Sequence, residues 1–334
     1  MAKGLDVGTS YIVLSSEKKN NQIEYKDFRD AFYIIKPTTP VATKMIEKGL
    51  SGKIFIKDAD GSFIILGKDA LEKAIERNDT AKRPMYRGVV SAKEKDAKKI
   101  LAFILKEVVG TASEPNEKLV FCVPAQPVDQ EDDDFDVGYH EDVIKTVLSE
   151  CGYDARSINE AEALCYAELE DEDYTGIGIS CGAGMTNVCV MLNGEPTVVF
   201  STTKSGDWID RMAAVATGEP DSVVQAEKEG GEFKIGDHSE NPVLAAVSAY
   251  YERLIDYTTK NLSLALKNHK SLPKFKNPLK IVIAGGTSLA NGYIEQFITK
   301  LDNNNFPLQV KEIVHAEDPL HAVSKGCLIA SKVL

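Results

Sequence analysis

Apolar residues change their spacing several times along the chain, and each change marks an element. Leu5 and Val7 lead into Gly8-Thr9-Ser10, and Tyr11, Ile12, Val13 and Leu14 leave it, which predicts two strands joined by a glycine turn. The same phrase returns about half the chain later. Gly176-Ile-Gly-Ile-Ser180 runs into Cys181-Gly182-Ala183-Gly184-Met185-Thr186, residues 187–192 form the returning strand, and Asn193-Gly194 supplies the next hairpin turn. Elsewhere the spacing is helical. Ala97, Leu101, Ile104, Leu105 and Val108 fall on one side of 92–109, and Val143, Ile144, Val147 and Leu148 on one side of 141–151. A longer stripe, Leu244, Val247, Tyr251, Leu254, Thr258, Leu262 and Ala265, predicts a helix over about 243–268. Residues 279–301 read as a buried strand, a Gly285-Gly286 break, and a helix presenting Leu289, Tyr293, Ile294, Phe297 and Leu301, with Thr287 or Ser288 as its cap. A last helix is expected to start at Asp318-Pro319, a cap followed by proline, with Ala322, Gly326 and Ala330 allowing close packing.

With 334 residues, 43% hydrophobic and 27% charged, the chain is long enough for two domains with their own cores. Its formal charge of −12 provides no basic footprint for a phosphate backbone, so direct nucleic-acid binding is not expected. Six cysteines (Cys122, Cys151, Cys165, Cys181, Cys189, Cys327) lack CxxC spacing and several lie in apolar runs, which favours reduced core thiols over a zinc site. The opening MAKGLDVG enters a strand pattern at once, without the apolar segment of a signal peptide, and no run reaches the ~20 apolar residues of a membrane span. The expected compartment is the cytoplasm.

Glycines in the two turns can adopt positive φ and let backbone N–H groups converge on an anion. Two such hairpins facing each other across a cleft could hold one nucleotide's phosphates from both sides. Three stretches then carry a family resemblance. Leu5-Asp-Val-Gly-Thr-Ser10 resembles the first phosphate loop of the actin-like ATPases, Ser180-Cys-Gly-Ala-Gly-Met-Thr-Asn-Val188 the second, and Ile283-Ala-Gly-Gly-Thr-Ser-Leu289 the adenosine loop. KRPMYRGVVSAKEKDAKKILAFILKEV, KLVFCVPAQP, SINEAEALCYAEL, SGDWIDRMAA, VVQAEKEGG and EDPLHAVSKGCLIA resemble further segments in the right order, so the likeness covers most of the chain. It is nearest to the bacterial filament-forming branch typified by MreB and MamK.

The resemblance implies an α/β fold, the actin-like two-domain ATPase made of duplicated ribonuclease H-like domains, each with a small inserted subdomain. Domain I would be 1–175 with its insert at about 36–86, and domain II 176–334 with a short insert at about 206–242. ATP with magnesium is the implied cofactor, with GTP as the alternative. Asp6 matches the acid that orients the metal's waters and counts among the catalytic candidates; Gly8, Thr9, Ser10, Gly182, Ala183, Gly184 and Met185 match the phosphate donors. Gly285, Gly286 and Thr287 match the adenosine loop, and Glu227 and Lys228 the pair near ribose and base, though the latter two also read as exposed helix charges. Glu160 matches a connector acid, with Ala161 in place of the family's proline, and it too reads as an exposed charge.

Two positions depart from the family. Ser180 stands where a second acid is usual and Asn187 where another acid or polar residue is usual, so slow or altered hydrolysis is expected, with Ser180→Asp raising turnover. The water-positioning group falls on His140 or Glu141, since the loop before them is longer than in MreB; Glu141 also simply complements a helix dipole. The acidic run 131–134 reads as a solvated loop. The expected function is a nucleotide-dependent filament of the chain with itself, with adaptor proteins as further partners. A monomeric switch or adaptor and a small-molecule kinase are the other functions this superfamily offers.

Overall fold

A computed structural model describes residues 2–334 except 19, 21, 78, 131–134, 231 and 271, so the acidic run 131–134 lies outside the described residues. The chain opens with an antiparallel meander, β1 (Lys3–Val7), β2 (Tyr11–Glu17) and β3 (Ile23–Arg29). It then leaves the main sheet to build a small layer. Here β4 (Phe32–Ile35), α1 (Pro40–Gly49), β5 (Phe55–Lys57), β6 (Phe63–Leu66) and α2 (Lys68–Glu76) form a three-stranded sheet, order β4-β6-β5, with two helices. All four residues of β6 are buried: Phe63 and Ile65 give the insert its own core with Ala31, Ile35, Leu50 and Ala70, while Ile64 and Leu66 join the core of the first sheet. A short hairpin, β7 (Met85–Tyr86) and β8 (Val89–Val90), brings the chain back.

The remaining elements of the first half are α3 (Ala97–Val109), β9 (Glu117–Val123), α4 (Val137–Glu150), β10 (Tyr153–Asn159) and α5 (Glu160–Glu168). β9 and β10 add to β1 in parallel, giving the order β10-β9-β1-β2-β3. The second half repeats this plan: β11 (Gly176–Cys181), β12 (Thr186–Leu192) and β13 (Glu195–Thr202) are the meander. Then come α6 (Gly206–Thr217), α7 (Asp221–Gly230), α8 (Pro242–Asn268), β14 (Leu279–Ala284), α9 (Tyr293–Asn303), β15 (Val310–His315) and α10 (Ala322–Val333). The second sheet runs β13-β12-β11-β14-β15, strand for strand the order of the first.

Burial explains how the halves join. The stripes of α3 and α4 cover the outer face of the first sheet, and those of α6, α8 and α9 the outer face of the second. Between the sheets lie α5 and α10, in a core with Val120 and Cys122 of β9, Cys189 and Met191 of β12, and Val282 of β14. Each large apolar side chain fully buried in these layers contributes ~1.5–3 kcal/mol. The approach of α10 to α5 is closer than any side chain allows: a Cβ on Gly326 would lie 1.7 Å from the Ala163 carbonyl oxygen. All six cysteines are buried and free.

Two expected helix starts differ from the structure. α10 begins at Ala322 instead of Pro319, because Asp318 accepts from Leu320 N and pairs with His321, holding 318–321 as turns. α9 begins at Tyr293 after Gly292, a residue in the left-handed region, so neither Thr287 nor Ser288 caps it; both sit in a 3-10 turn, Gly286–Leu289.

Candidate functional site

The two glycine turns share one frame. Gly8 N donates to Tyr11 O at 3.0 Å, and Gly182 N donates to Met185 O at 3.0 Å. Both tips line a single cavity of about 420 Å³ between the halves, together with Gly88 and with Gly285, Gly286 and Thr287. Gly8, Thr9, Ser10, Gly182, Ala183, Gly184 and Met185 are therefore brought together. The reason for their glycines differs from the expected one. None of Gly8, Gly182 and Gly184 has positive φ; what they provide is room. A Cβ on Gly8 would lie 2.7 Å from Tyr11 O, and one on Gly184 would lie 2.4 Å from Thr9 Oγ1 in the opposing tip. Gly285 does need its conformation (φ +91), and a Cβ there would lie 2.3 Å from Cys181 O.

The second tip is tied from behind through one oxygen. Gly182 O accepts from Ser205 Oγ (2.5 Å), Thr287 Oγ1 (2.7 Å) and Gly206 N (3.3 Å). These bonds hold the backbone of a tip whose Ala183, Gly184 and Met185 line the cavity, and a fixed turn of this kind is suited to an anion cradle.

At the cavity floor two carboxylates converge. Asp6, at the end of β1, accepts from the Cys122 thiol at 3.1 Å. Glu160, the first residue of α5, is set in place by a capping box in which Asn159 accepts from Ala161 N and Glu162 N. One Glu160 oxygen accepts from Ser180 Oγ at 2.6 Å and the other from Asn187 Nδ2 at 2.9 Å. Asn187 is itself fixed, since its Oδ1 accepts from Ala125 N at 2.8 Å. Glu160 is thus no exposed helix charge. Removal from bulk water raises Asp6 to about 6, with the Cys122 bond opposing. Glu160 rises to about 8, first through desolvation and then through repulsion by Asp6, with the Ser180 bond opposing.

Two recessed carboxylates that repel one another have hard oxygen donors and an excess of negative charge, a chemistry that fits a hard divalent cation such as magnesium. The water-positioning candidates do not reach this floor. His140 is fully buried in the core of α4, neither ring nitrogen is bonded among the described residues, and desolvation lowers it to about 4. Glu141 accepts from Ser157 Oγ at 2.6 Å and is not among the cavity's lining residues. On α7, Lys228 lines the cavity and donates to Asp210 (2.8 Å) and Gly206 O (3.2 Å). Glu227 turns away and accepts from Asn241; Gln225 and Glu229 line the cavity in its place.

Away from the cavity lining, backbone bonds also tie the two halves together. Val128 N donates to Ser201 O (2.9 Å) and Ser201 N to Gln126 O (3.2 Å), stitching the segment after β9 to the end of β13. The result is one cavity between the halves, lined by both glycine tips and by Asp6 and Glu160. The family model described as Volactin matches residues 1–331. The chain belongs to the volactin family. Solved structures place the volactin fold of this chain among the actin-like proteins. The MamK double helical filament matches with a TM-score of 0.72 at 18% identity, covering 100% of this chain and 99% of that one. MreB 5 of Spiroplasma citri bound to AMPPNP matches with a TM-score of 0.68 at 15% identity, covering 99% and 96%. The ethanolamine utilization protein EutJ from Carboxydothermus hydrogenoformans matches with a TM-score of 0.54 at 16% identity, covering 98% and 88%. No curated protein sequence matches this volactin-family chain. Among the described residues no helix is long and apolar enough to cross a membrane.

Proposed function

We propose that this volactin-family chain is an actin-like cytoskeletal protein that binds ATP with magnesium in the cleft and polymerises with itself into filaments. One observation carries the reading: glycine tips from two repeated sheets and a pair of converging acids line the same cavity. Thr9 and Ser10 on one side and Ala183, Gly184 and Met185 on the other donate backbone N–H groups to the phosphates, since the Gly8 and Gly182 N–H groups are taken by the hairpin bonds, while Gly285 and Gly286 let the nucleoside lie against bare backbone. Asp6 and Glu160 hold the magnesium, which when bound neutralises phosphate charge. Lys228 and Glu229 face the nucleoside end.

In this reading the acid missing at Ser180 is supplied by α5. Ser180 and Asn187 bond both oxygens of Glu160, so the second hairpin presents a borrowed carboxylate. Hydrolysis is altered because the charge sits on a different backbone position. The domains follow the repeat, 1–175 and 176–334, with the first insert forming a contact to the next subunit. Nucleotide binding favours the closed cleft, and the closed shape fits its neighbour in the filament.

Sedimentation and negative-stain microscopy with ATP and magnesium test this against Asp6→Ala, which is expected to stay unassembled. Monodisperse protein that binds nucleotide selects a switch or adaptor, and phosphate transfer to a small acceptor selects a kinase. Calorimetry that detects neither adenine nor guanine nucleotide uptake removes the reading altogether.

A further inference from the structure

Above the phosphate tips the two halves meet through charge. Arg83 lies on the segment that returns from the insert, and its guanidinium donates to both oxygens of Asp207 in α6, at 2.8 and 2.9 Å. Asp207 is wired to the cavity: it is one of the lining residues, and its N–H donates to Ala183 O of the second tip at 2.8 Å. On the other side, the residue before Arg83 is locked to the insert. Lys82 O accepts from Phe32 N (2.7 Å) and Lys82 N donates to Phe32 O (2.9 Å), which brings Arg83 beside the chain at Asp30.

Asp30 is the anomaly. Its side chain is fully buried, and neither carboxylate oxygen has a hydrogen-bond partner among the described residues. A buried acid left without donors is costly and is rarely kept without a reason. Burial holds its carboxyl well above the usual range, and Arg83 and then Arg29 are the cations that pull it back. Neither cation bonds it here. Arg83 is committed to Asp207, while Arg29, buried with its Nε unpaired among the described residues, lies over the Tyr11 ring and 3.7 Å from Glu229 across the cleft.

We propose that Arg83 is a two-position toggle that binds Asp207 of the second half when the cleft is closed and Asp30 of its own half when the cleft opens. Closure takes the guanidinium away from Asp30 and leaves that acid unpaired; opening restores the pair and frees Asp207. The closed state therefore carries a built-in bias toward reopening, and whatever fixes the second tip, through Ala183 and Asp207, opposes it. The insert, tied to Arg83 through Lys82 and Phe32, moves with the choice. This rests on the proposed nucleotide-dependent closure and names its regulation.

The test reads the cleft directly. Spin labels at Ile75→Cys in α2 and Val215→Cys in α6, 74% and 76% exposed, report the distance between the insert and the second half, while the buried native cysteines escape labelling. Below the assembly concentration, Asp30→Asn shifts the closed-to-open ratio about tenfold toward closed, and Asp207→Asn shifts it about tenfold toward open. Asp30→Ser carries the same expectation as Asp30→Asn. In an Arg83→Gln background both shifts vanish. Shifts in the same direction, no shift for both Asp30 variants, or shifts that survive without Arg83 overturn the toggle. Adding ATP with magnesium reads the functional proposal separately. Opposite shifts with no response to nucleotide leave the toggle standing and remove nucleotide-dependent closure, whereas a response without opposite shifts does the reverse.

Discussion

Asp6 and Ser180 stand at corresponding places, each two residues before the first glycine of its hairpin, and each faces the residue at the same place on the returning strand. Asp6 pairs with Val13 and Ser180 with Asn187. The first hairpin has an acid opposite an apolar residue. The second has a hydroxyl opposite an amide, and the two donate to opposite oxygens of Glu160. A duplicated frame has thus kept its backbone geometry and moved one charge from a strand to the N-terminus of the helix between the sheets. Repetition constrains where a charge is needed more tightly than it constrains which element supplies it.

Removing the acids breaks the comparison most severely. Asp6→Ala or Glu160→Gln is expected to weaken magnesium-dependent nucleotide binding about 10- to 100-fold, measured by calorimetry with and without the metal. Equal losses confirm that the two acids act as a pair; a silent Glu160→Gln returns the second hairpin to an acid-free site. Ser180→Asp comes next. The family pattern alone expects it to raise turnover, but Ser180 Oγ lies 2.6 Å from a Glu160 oxygen, and a carboxylate there would press against a recessed acid that has already lost its donor. Lower turnover and a stability loss of about 1–3 kcal/mol by denaturant titration are expected. Increased turnover would show that the strand position, and not Glu160, is where the charge belongs.

The same charges predict opposite arms in the pH dependence of the metal-free protein. Glu160 at about 8 and Asp6 at about 6 lie above their ordinary 4.5 and 3.8, so the folded state retains protons that the unfolded chain has released. Their stabilising contribution is complete below the ordinary values and is lost as pH rises through about 8. His140 works the other way: with its folded value near 4 and its ordinary one at 6.5, stability falls as pH drops from 6.5 through about 4. Melting temperature against pH should show both arms. Magnesium should flatten only the alkaline one, since the cation replaces the proton on the acid pair, and Glu160→Gln should shrink that arm without touching the acid one.

Periodicity exposed the repeat because the two meanders and the helices around them are ordinary amphipathic elements, and stripes such as Ile104 with Val108 or Val247 with Leu254 are legible one turn at a time. Glu160 was harder to place. Its partners Ser180 and Asn187 are 20 and 27 residues away, and only the packing of α5 between the sheets makes them converge. His140 and Glu141 misled for a related reason: a helix start predicts that side chains are available, not which way they face, and α4 turns His140 into the core and Glu141 toward Ser157. Asp30 gave no local signal at all. Its significance comes from a guanidinium 53 positions later that bonds another acid instead.

The smallest expected effect separates the two tips themselves. Gly8 and Gly182 make the same hairpin bond, yet a Cβ on Gly8 would sit 2.7 Å from the Tyr11 carbonyl oxygen, whereas on Gly182 the corresponding approach to Met185 O is 3.3 Å. Backbone must move in the first case and give by only a few tenths of an ångström in the second. Gly8→Ala should therefore cost about 1–3 kcal/mol and weaken nucleotide binding, while Gly182→Ala should stay within about 1 kcal/mol by the same denaturant titration. Because neither glycine has positive φ, alanine meets no conformational penalty at either place, and the contrast isolates crowding. Equal effects would mean that the bonds on Gly182 O from Ser205, Thr287 and Gly206 make the second tip as unyielding as the first, and that the two halves differ in their charges alone.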